Sequence, residues 1–326
     1  MRLATIIPEN RAQPVAAVRV EVDQWVALHS FLAFIGKKDV PERDTARLED
    51  FFPQLMPRLS EITRALSNWP ETERVFRERR GQVFRAAKFL PPIVRPPTFR
   101  DFYAFEQHVK TARARRGLEM IQAWYEIPAF YFSNSNSLVG DDAIVVAPAN
   151  SHELDYELEL GVIIGRGGRD IAPENAWDHV AGFTIINDFS ARDLQRSEME
   201  IGLGPAKGKD FATAVGPLLV TRDELADRIN GDTLYLEMIA RVNDRELSRG
   251  NSSLLFHTFP KMIARASRDA DLFPGDIIGS GTVGTGCIME LGPEATGGWL
   301  KPGDTVELQI ERIGSLRTKI GARPGG

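Results

Sequence analysis

The segment Leu154-Asp-Tyr-Glu-Leu-Glu-Leu160 sets acids where a folding chain normally avoids them. Leu154, Tyr156, Leu158 and Leu160 alternate with Asp155, Glu157 and Glu159, the period-2 pattern of a strand. Side chains two residues apart on a strand share a face at a spacing of ~7 Å. Like charges in that arrangement repel unless a cation, protons or open water relieves them. The run continues through Gly161-Val-Ile-Ile164, which reads as buried on both faces and argues against a solvated edge. Two readings stand: carboxylates gathered around a cation, and an amphipathic strand with one wet acidic face.

The rest of the chain narrows the setting. Its 326 residues, 43% of them hydrophobic, suffice for a large core and for one to three domains. Charges of both signs are interspersed and the formal net charge is −5, which argues against a general nucleic-acid or membrane-surface binder. Cys287, the single cysteine, excludes an internal disulfide framework and a Cys-rich metal site. No apolar run approaches the ~18–20 residues of a membrane span, and Met1-Arg-Leu-Ala-Thr-Ile-Ile-Pro8 lacks a signal-peptide core. The expectation is a cytoplasmic enzyme or small-molecule-binding protein with no membrane or nucleic-acid partner.

Texture divides the chain near residue 90. Before it, Val15–Val20 and Trp25–Leu28 read as short strands, and Leu55, Leu59, Ile62 and Leu66 have helical spacing. Phe89-Leu-Pro-Pro-Ile-Val-Arg-Pro-Pro97 holds four prolines and reads as a linker. The expected division is a small N-terminal α+β domain over 1–90 and a main domain over 91–326. In the latter, Asp101–Arg116 reads as a helix with capping-box-like spacing of Thr98 and Asp101 and a stop at Gly117. Strands are expected over 154–164, 182–187, 216–221, 233–243, 276–282 and 305–311, with helices over 190–199 and 254–267. Pro-Gly-Asp turns precede two of these strands, at Pro274–Asp276 and Pro302–Asp304. The class is α+β with a dominant mixed β core.

Further acids sit at telling places. Asp188 ends the apolar strand Gly182-Phe-Thr-Ile-Ile-Asn-Asp188 just before a helix, where it suits either a ligand or an N-cap. Asp101 has the same two readings. These oxygen donors suit Mg²⁺, Mn²⁺ or Ca²⁺ rather than zinc. On a 101–116 helix His108 shares a face with Asp101 at roughly 10 Å of rise, too far to join it as a ligand but able to act on something bound nearby. Arg192, Gln195 and Met199 follow one helix face, and Lys209 lies in the glycine-rich Leu203–Asp210 stretch, which lacks the P-loop pattern. Glu290 follows Gly279-Ser-Gly-Thr-Val-Gly-Thr-Gly286, which carries no dinucleotide fingerprint; it reads equally as a site acid and as an exposed strand residue. The basic Thr111–Arg116 stretch complements a helix C-terminus or meets a substrate carboxylate.

Six segments in order resemble the fumarylacetoacetate hydrolase family over roughly 90–312. They are Asp101-Phe-Tyr-Ala-Phe-Glu-Gln-His108, Leu154–Glu159, Asn187-Asp-Phe-Ser-Ala-Arg-Asp-Leu-Gln195, Gly208-Lys-Asp-Phe211, Ser280-Gly-Thr282 and Gly286-Cys-Ile-Met-Glu290. The likeness is to longer members, in which a small N-terminal domain precedes a catalytic β-roll or sandwich and which are typically homodimers. It implies that Asp101, Glu157, Glu159 and Asp188 bind a divalent cation, Mg²⁺ or else Mn²⁺ or Ca²⁺. It implies that His108 activates water and Glu290 orients it, and that Arg192, Gln195 and Lys209 polarise substrate oxygens. Tyr103, Tyr131 and Thr282 would line the pocket, with Thr213 beside Lys209.

The implied activity is hydrolysis of a carbon–carbon bond in a β-diketo acid such as fumarylacetoacetate or an acylpyruvate. Decarboxylation, tautomerisation or dehydration of a 2-oxo acid uses the same scaffold, and a non-catalytic acid-binding protein is the reading of a different class. The chain departs from the fumarylacetoacetate-cleaving pattern where substrate is recognised. Met199 replaces a substrate-touching tyrosine, Phe132-Ser-Asn-Ser-Asn-Ser137 replaces a His-Gly-Arg-type run, and only Arg115 or Arg116 stands in for the distal arginine.

Overall fold

The acidic run folds as two strands rather than one. In the computed structural model, which describes residues 1–37, 40–41 and 47–323, Leu154–Asp155 and Leu158–Ile164 are separated by a break at Tyr156 and Glu157. There the Glu157 N–H donates to Asn187 Oδ1 at 3.1 Å, so a side chain replaces the ladder partner that a continuous strand would use. Leu154–Asp155 pairs instead with Ser190–Ala191, residues the sequence assigns to a helix that in fact begins at Arg192.

Leu158–Ile164 lies in the middle of a twelve-stranded sheet, antiparallel to both Val180–Asp188 and Ile277–Gly279. Beyond Val180–Asp188 come Thr213–Thr221, Arg2–Pro8, Val15–Glu21, Gln24–Ala27 and Val83–Phe84. On the other side Phe99–Phe102 pairs in parallel with Ile277–Gly279, and Phe130–Phe132 pairs with Phe99–Phe102. Leu138–Val139, a few residues on, pairs with Thr213–Thr221, so this half of the sheet curls back on itself. A second sheet holds Arg245–Asn251, Glu237–Val242, Thr305–Ile310, Gly314–Gly321 and Ala143–Val146 in that order. The molecule is thus α+β, with two packed sheets and peripheral helices. No helix among the described residues is long and apolar enough to cross a membrane.

The parity of the alternation decides which face does what. Leu158, Leu160, Val162 and Ile164 join Met238, Ala240, Val306 and Leu308 in the core between the sheets. Ile163, with Ile186, Val215 and Ile277, belongs to a second core that includes Phe31, Phe51, Phe52 and Trp69. Glu157 and Glu159 share the parity of Ile163, so the acids occupy the face turned away from the inter-sheet core. The N-terminal residues build much of this second core, and their strands extend the same sheet through Arg2↔Val220 and Leu3↔Leu219. Phe89 and Leu90 of the proline-rich segment are part of the strand Ala86–Leu90, paired with Arg2–Pro8.

The helix expected over Asp101–Arg116 is corrected: Asp101 is on the strand Phe99–Phe102, and the helix is Glu106–Ala114. No capping box forms. Thr98 instead donates its N–H and hydroxyl to Asp276 Oδ1 at 2.8 and 2.7 Å, drawing the chain alongside Ile277–Gly279. Asp276 Oδ2 accepts the Phe273 N–H at 2.8 Å across the first Pro-Gly-Asp turn, just as Asp304 Oδ2 accepts from Lys301 N at 2.9 Å across the second. Gly275 (φ +92°) and Gly303 (φ +98°) supply the left-handed turn residue in each. The expected 233–243 strand splits into Thr233–Leu234 and Glu237–Val242, the 276–282 strand shortens to Ile277–Gly279, and the 254–267 helix starts at Phe259.

Asp276→Ala strands three donors around a fully buried position. It should cost about 3 kcal/mol, read as a lower urea midpoint at unchanged m; Asp304→Ala, whose carboxylate is less enclosed, should cost less. Equal losses in the two variants would contradict the anchoring role given to Asp276.

Candidate active site

Adjacent strands of the curled half deliver the acids to one place. Asp101 lies opposite Gly279 in register, Gly279 lies opposite Gly161, and Glu159 is two residues before Gly161 on the same face. Asp188 ends Val180–Asp188, next to Leu158–Ile164, and pairs with Thr213. Oxygens of Asp101, Glu159 and Asp188 lie within 4.8 Å of one another, and all three residues are buried. The wet-face reading of the alternation is therefore wrong, because Glu159 and Asp188 are both 0% exposed. The capping reading of Asp188 also fails: the helix Arg192–Glu200 follows Ala191, with no side-chain cap.

Gly279 makes the approach possible. A methyl group there would overlap Asp101 Oδ1 and stand 3.3 Å from Glu159 Oε2. Among the described residues Glu159 Oε2 meets no N–H or hydroxyl donor, and Thr282 Oγ1 reaches Glu159 Oε1 at 3.4 Å. Burial, reinforced by Asp188, pushes Asp101 well above the ordinary carboxylate range; burial, reinforced by Asp101, does the same to Glu159. An all-oxygen cluster of this spacing, with an unsatisfied buried oxygen, fits a hard divalent cation.

Glu157 stands apart from that cluster. Its Oε1 accepts from Arg192 Nη2 at 2.7 Å and its Oε2 from Lys209 Nζ at 2.5 Å. Burial would raise its pKa, but Lys209 and then Arg192 outweigh burial and hold Glu157 below the usual range. Lys209, in the glycine-rich Leu203–Asp210 stretch, is buried and also donates to Asp188 Oδ2 at 2.6 Å. Tyr131 crosses from the far end of the strand order to donate to the same oxygen at 2.6 Å, and Thr213 donates to Asp188 Oδ1 at 3.1 Å. Gln195 Oε1 accepts from Arg192 Nη1 at 3.0 Å.

A second group adjoins this one. His108, on Glu106–Ala114, bonds through Nδ1 to Glu290 Oε1. Glu290 lies on the short helix Ile288–Leu291 and is 8% exposed, which overturns its reading as an exposed strand residue. A carboxylate acceptor makes Nδ1–H the donor and leaves Nε2 as the open, basic nitrogen. Tyr103 packs edge-on to the His108 ring at 5.3 Å, and burial pushes its hydroxyl up to about 12, so it stays a donor. Of the basic stretch, Arg115 donates to the Glu290 backbone carbonyl at 3.1 Å and Arg116 to that of Ala112 at 3.2 Å.

Asp155 is the residue whose part the sequence does not disclose. Beyond the strand break it accepts from Arg192 Nε at 2.9 Å and from the N–H groups of Ile288 and Met289 at 2.7 and 3.0 Å. One buried carboxylate thus ties the arginine beside Glu157 to the helix carrying Glu290. Its place in the Asp-x-Glu-x-Glu alternation is a signal for burial, but not for what it touches.

The family model described as fumarylacetoacetate (FAA) hydrolase C-terminal matches residues 98–321. The chain belongs to the fumarylacetoacetate hydrolase family. Human mitochondrial oxaloacetate tautomerase FAHD2A is 36% identical over 195 residues, a match spanning 59% of this chain and 59% of that protein's own length. Among solved structures, fumarylacetoacetate hydrolase from psychrophilic Exiguobacterium antarcticum superposes with a TM-score of 0.69 at 24% identity, covering 98% of this chain and 100% of that one. Maleylpyruvate hydrolase from Sphingobium sp. SYK-6, in complex with manganese(II) and pyruvate, gives 0.66 at 23% identity and 99% coverage of both chains. These likenesses show that the fumarylacetoacetate hydrolase fold extends over the whole chain, N-terminal segment included.

Two outcomes follow from the carboxylate cluster. Gly279→Ala should weaken Mn²⁺ binding at least about tenfold by displacing Asp101, measured by isothermal titration; unchanged affinity would refute the close-approach argument. For pH, Asp101 and Glu159 have raised pKa values in the metal-free fold. They therefore destabilise it increasingly as pH rises past the ordinary carboxylate value of about 4, and a cation reverses this. The gain in Tm on adding Mg²⁺ should grow with pH over that window and shrink in Asp101→Asn. A gain independent of pH would count against raised pKa values at Asp101 and Glu159.

Proposed function

We propose that this chain is a divalent-metal-dependent hydrolase that cleaves a carbon–carbon bond in a β-diketo acid of the fumarylacetoacetate or acylpyruvate type. The observation that carries the reading is the buried His108–Glu290 pair beside the buried acids: a base with an orienting carboxylate is what activation of water requires. Asp101, Glu159 and Asp188 are the proposed ligands, and Glu157, held by Lys209 and Arg192, completes the carboxylate set. A bound Mg²⁺ or Mn²⁺ supplies Lewis-acid polarisation of a carbonyl and neutralises charge on its oxygen.

The remaining roles belong to the chain. His108 Nε2 takes a proton from water as the water oxygen adds to the carbonyl carbon, and Glu290 steadies the resulting imidazolium. Lys209 commits two of its three ammonium protons to Glu157 and Asp188, leaving one for the developing oxyanion. Arg192 fixes the Gln195 carbonyl, which leaves the Gln195 amide group to donate to a substrate oxygen. As the carbon–carbon bond breaks, His108 returns its proton to the leaving carbon. Tyr103, Tyr131 and Thr282 frame the substrate.

A second reading, tautomerisation of a 2-oxo acid, draws on the 36% identity to the human oxaloacetate tautomerase. There His108 would move a proton between carbon and oxygen with no water added. Assay of acylpyruvates, fumarylacetoacetate and oxaloacetate with Mg²⁺ or Mn²⁺ separates the two. Loss of diketo absorbance with two carboxylic products supports hydrolysis, whereas enol–keto conversion of oxaloacetate alone favours the second reading. On the true substrate His108→Ala should lower kcat by about 10²–10⁴-fold while metal binding persists. Parent-like turnover by that variant would remove His108 from the mechanism.

A further inference from the structure

His108, Cys287 and Glu290 bring a nitrogen, a sulfur and an oxygen within 4.8 Å of one another, and all three residues are buried. This set differs in kind from the Asp101, Glu159 and Asp188 cluster. Oxygen-only donors suit Mg²⁺ or Mn²⁺, whereas a thiolate and an imidazole select Zn²⁺ and its spectroscopic substitute Co²⁺. Three protein donors with a fourth position for water is a common zinc arrangement. Zinc–ligand bonds of about 2.0–2.3 Å require the donors to close by about 1 Å from their widest separation. Local geometry allows this. Cys287 and Glu290 lie three residues apart at the turn and helix of 287–291, against which the helix bearing His108 packs.

We propose that His108, Cys287 and Glu290 form a second metal site, selective for Zn²⁺ over Mg²⁺, whose occupation silences the His108–Glu290 pair. On ligation the Cys287 S–H bond breaks, its proton leaves to solvent, and the sulfur electron pair forms the bond to zinc. His108 gives a ring lone pair to the metal, from Nε2 as it stands or from Nδ1 once its proton has passed to Nε2, and Glu290 gives up the hydrogen bond it accepts from His108 for a bond to zinc. The inhibitory consequence rests on His108 being the base. The metal site itself does not.

Because Cys287 is the only cysteine in the chain, any thiolate–metal signal reports on it. The test is titration of the whole protein with Co²⁺ in excess Mg²⁺, followed by near-ultraviolet absorbance, with Zn²⁺ as competitor. A thiolate-to-cobalt charge-transfer band at one equivalent is expected, displaced by Zn²⁺ and abolished in Cys287→Ser. His108→Asn should bind zinc at least about tenfold more weakly, which keeps the test decisive if Cys287→Ser fails to fold. Absence of the band in the parent, or zinc affinity unchanged in His108→Asn, overturns the site. Where turnover is measurable, Zn²⁺ should inhibit the parent at concentrations that spare Cys287→Ser. Zinc bound with the charge-transfer signature but without inhibition would instead count against His108 as the base.

Discussion

Five buried carboxylates against two buried cations is the constraint on which the rest of the site depends. Asp101, Asp155, Glu157, Glu159 and Asp188 are all removed from water, and among the described residues only Arg192 and Lys209 form ion pairs with them. Burying a charge is costly unless it is paired, so an imbalance of this size has to be settled locally. The cations settle it unevenly. Both reach Glu157, Arg192 also takes Asp155, and Lys209 also takes Asp188. Asp101 and Glu159 are left to each other, which is why burial and neighbouring carboxylates raise the pKa of both and why a hard cation suits the gap.

The backbone is shaped around that imbalance. Gly279 withholds a side chain where two carboxylates converge. The break at Tyr156 and Glu157 frees Asp155 from the sheet and turns it toward Arg192 and the Ile288–Leu291 helix. Through this one carboxylate the acid cluster and the His108–Glu290 pair share a rigid support. The N-terminal residues contribute from behind the sheet: the core they form with Ile163 and Ile186 closes the same face that bears the acids further along the strand.

Much of this was legible from residue patterns, and the failures are instructive. The apolar runs Gly182–Asn187 and Gly161–Ile164 announce buried strands, and the acids that interrupt or end such runs could only be unusual. Asp101 was misplaced because Thr98, Asp101 and Gly117 carry a convincing local helix signal, while the competing hydrogen bonds come from Asp276, far along the chain. Glu290 could be assigned no surroundings, because exposure depends on what packs over a four-residue helix. Likewise nothing in a glycine-rich loop tells that its lysine will be swallowed by two carboxylates.

The sequence by itself determined the family and the acid-bearing strands: acids at i and i+2, an acid at a strand end and six ordered motifs are local and period-bound signals. Only the tertiary structure decided which of these groups meet. It separated Glu157 from Asp101 and Glu159, drew Tyr131 across to Asp188, and set Cys287 beside His108. The reason is physical. Strand periodicity specifies which face a side chain takes, but the neighbours it meets there are chosen by strand order and sheet curl, which join residues far apart along the chain.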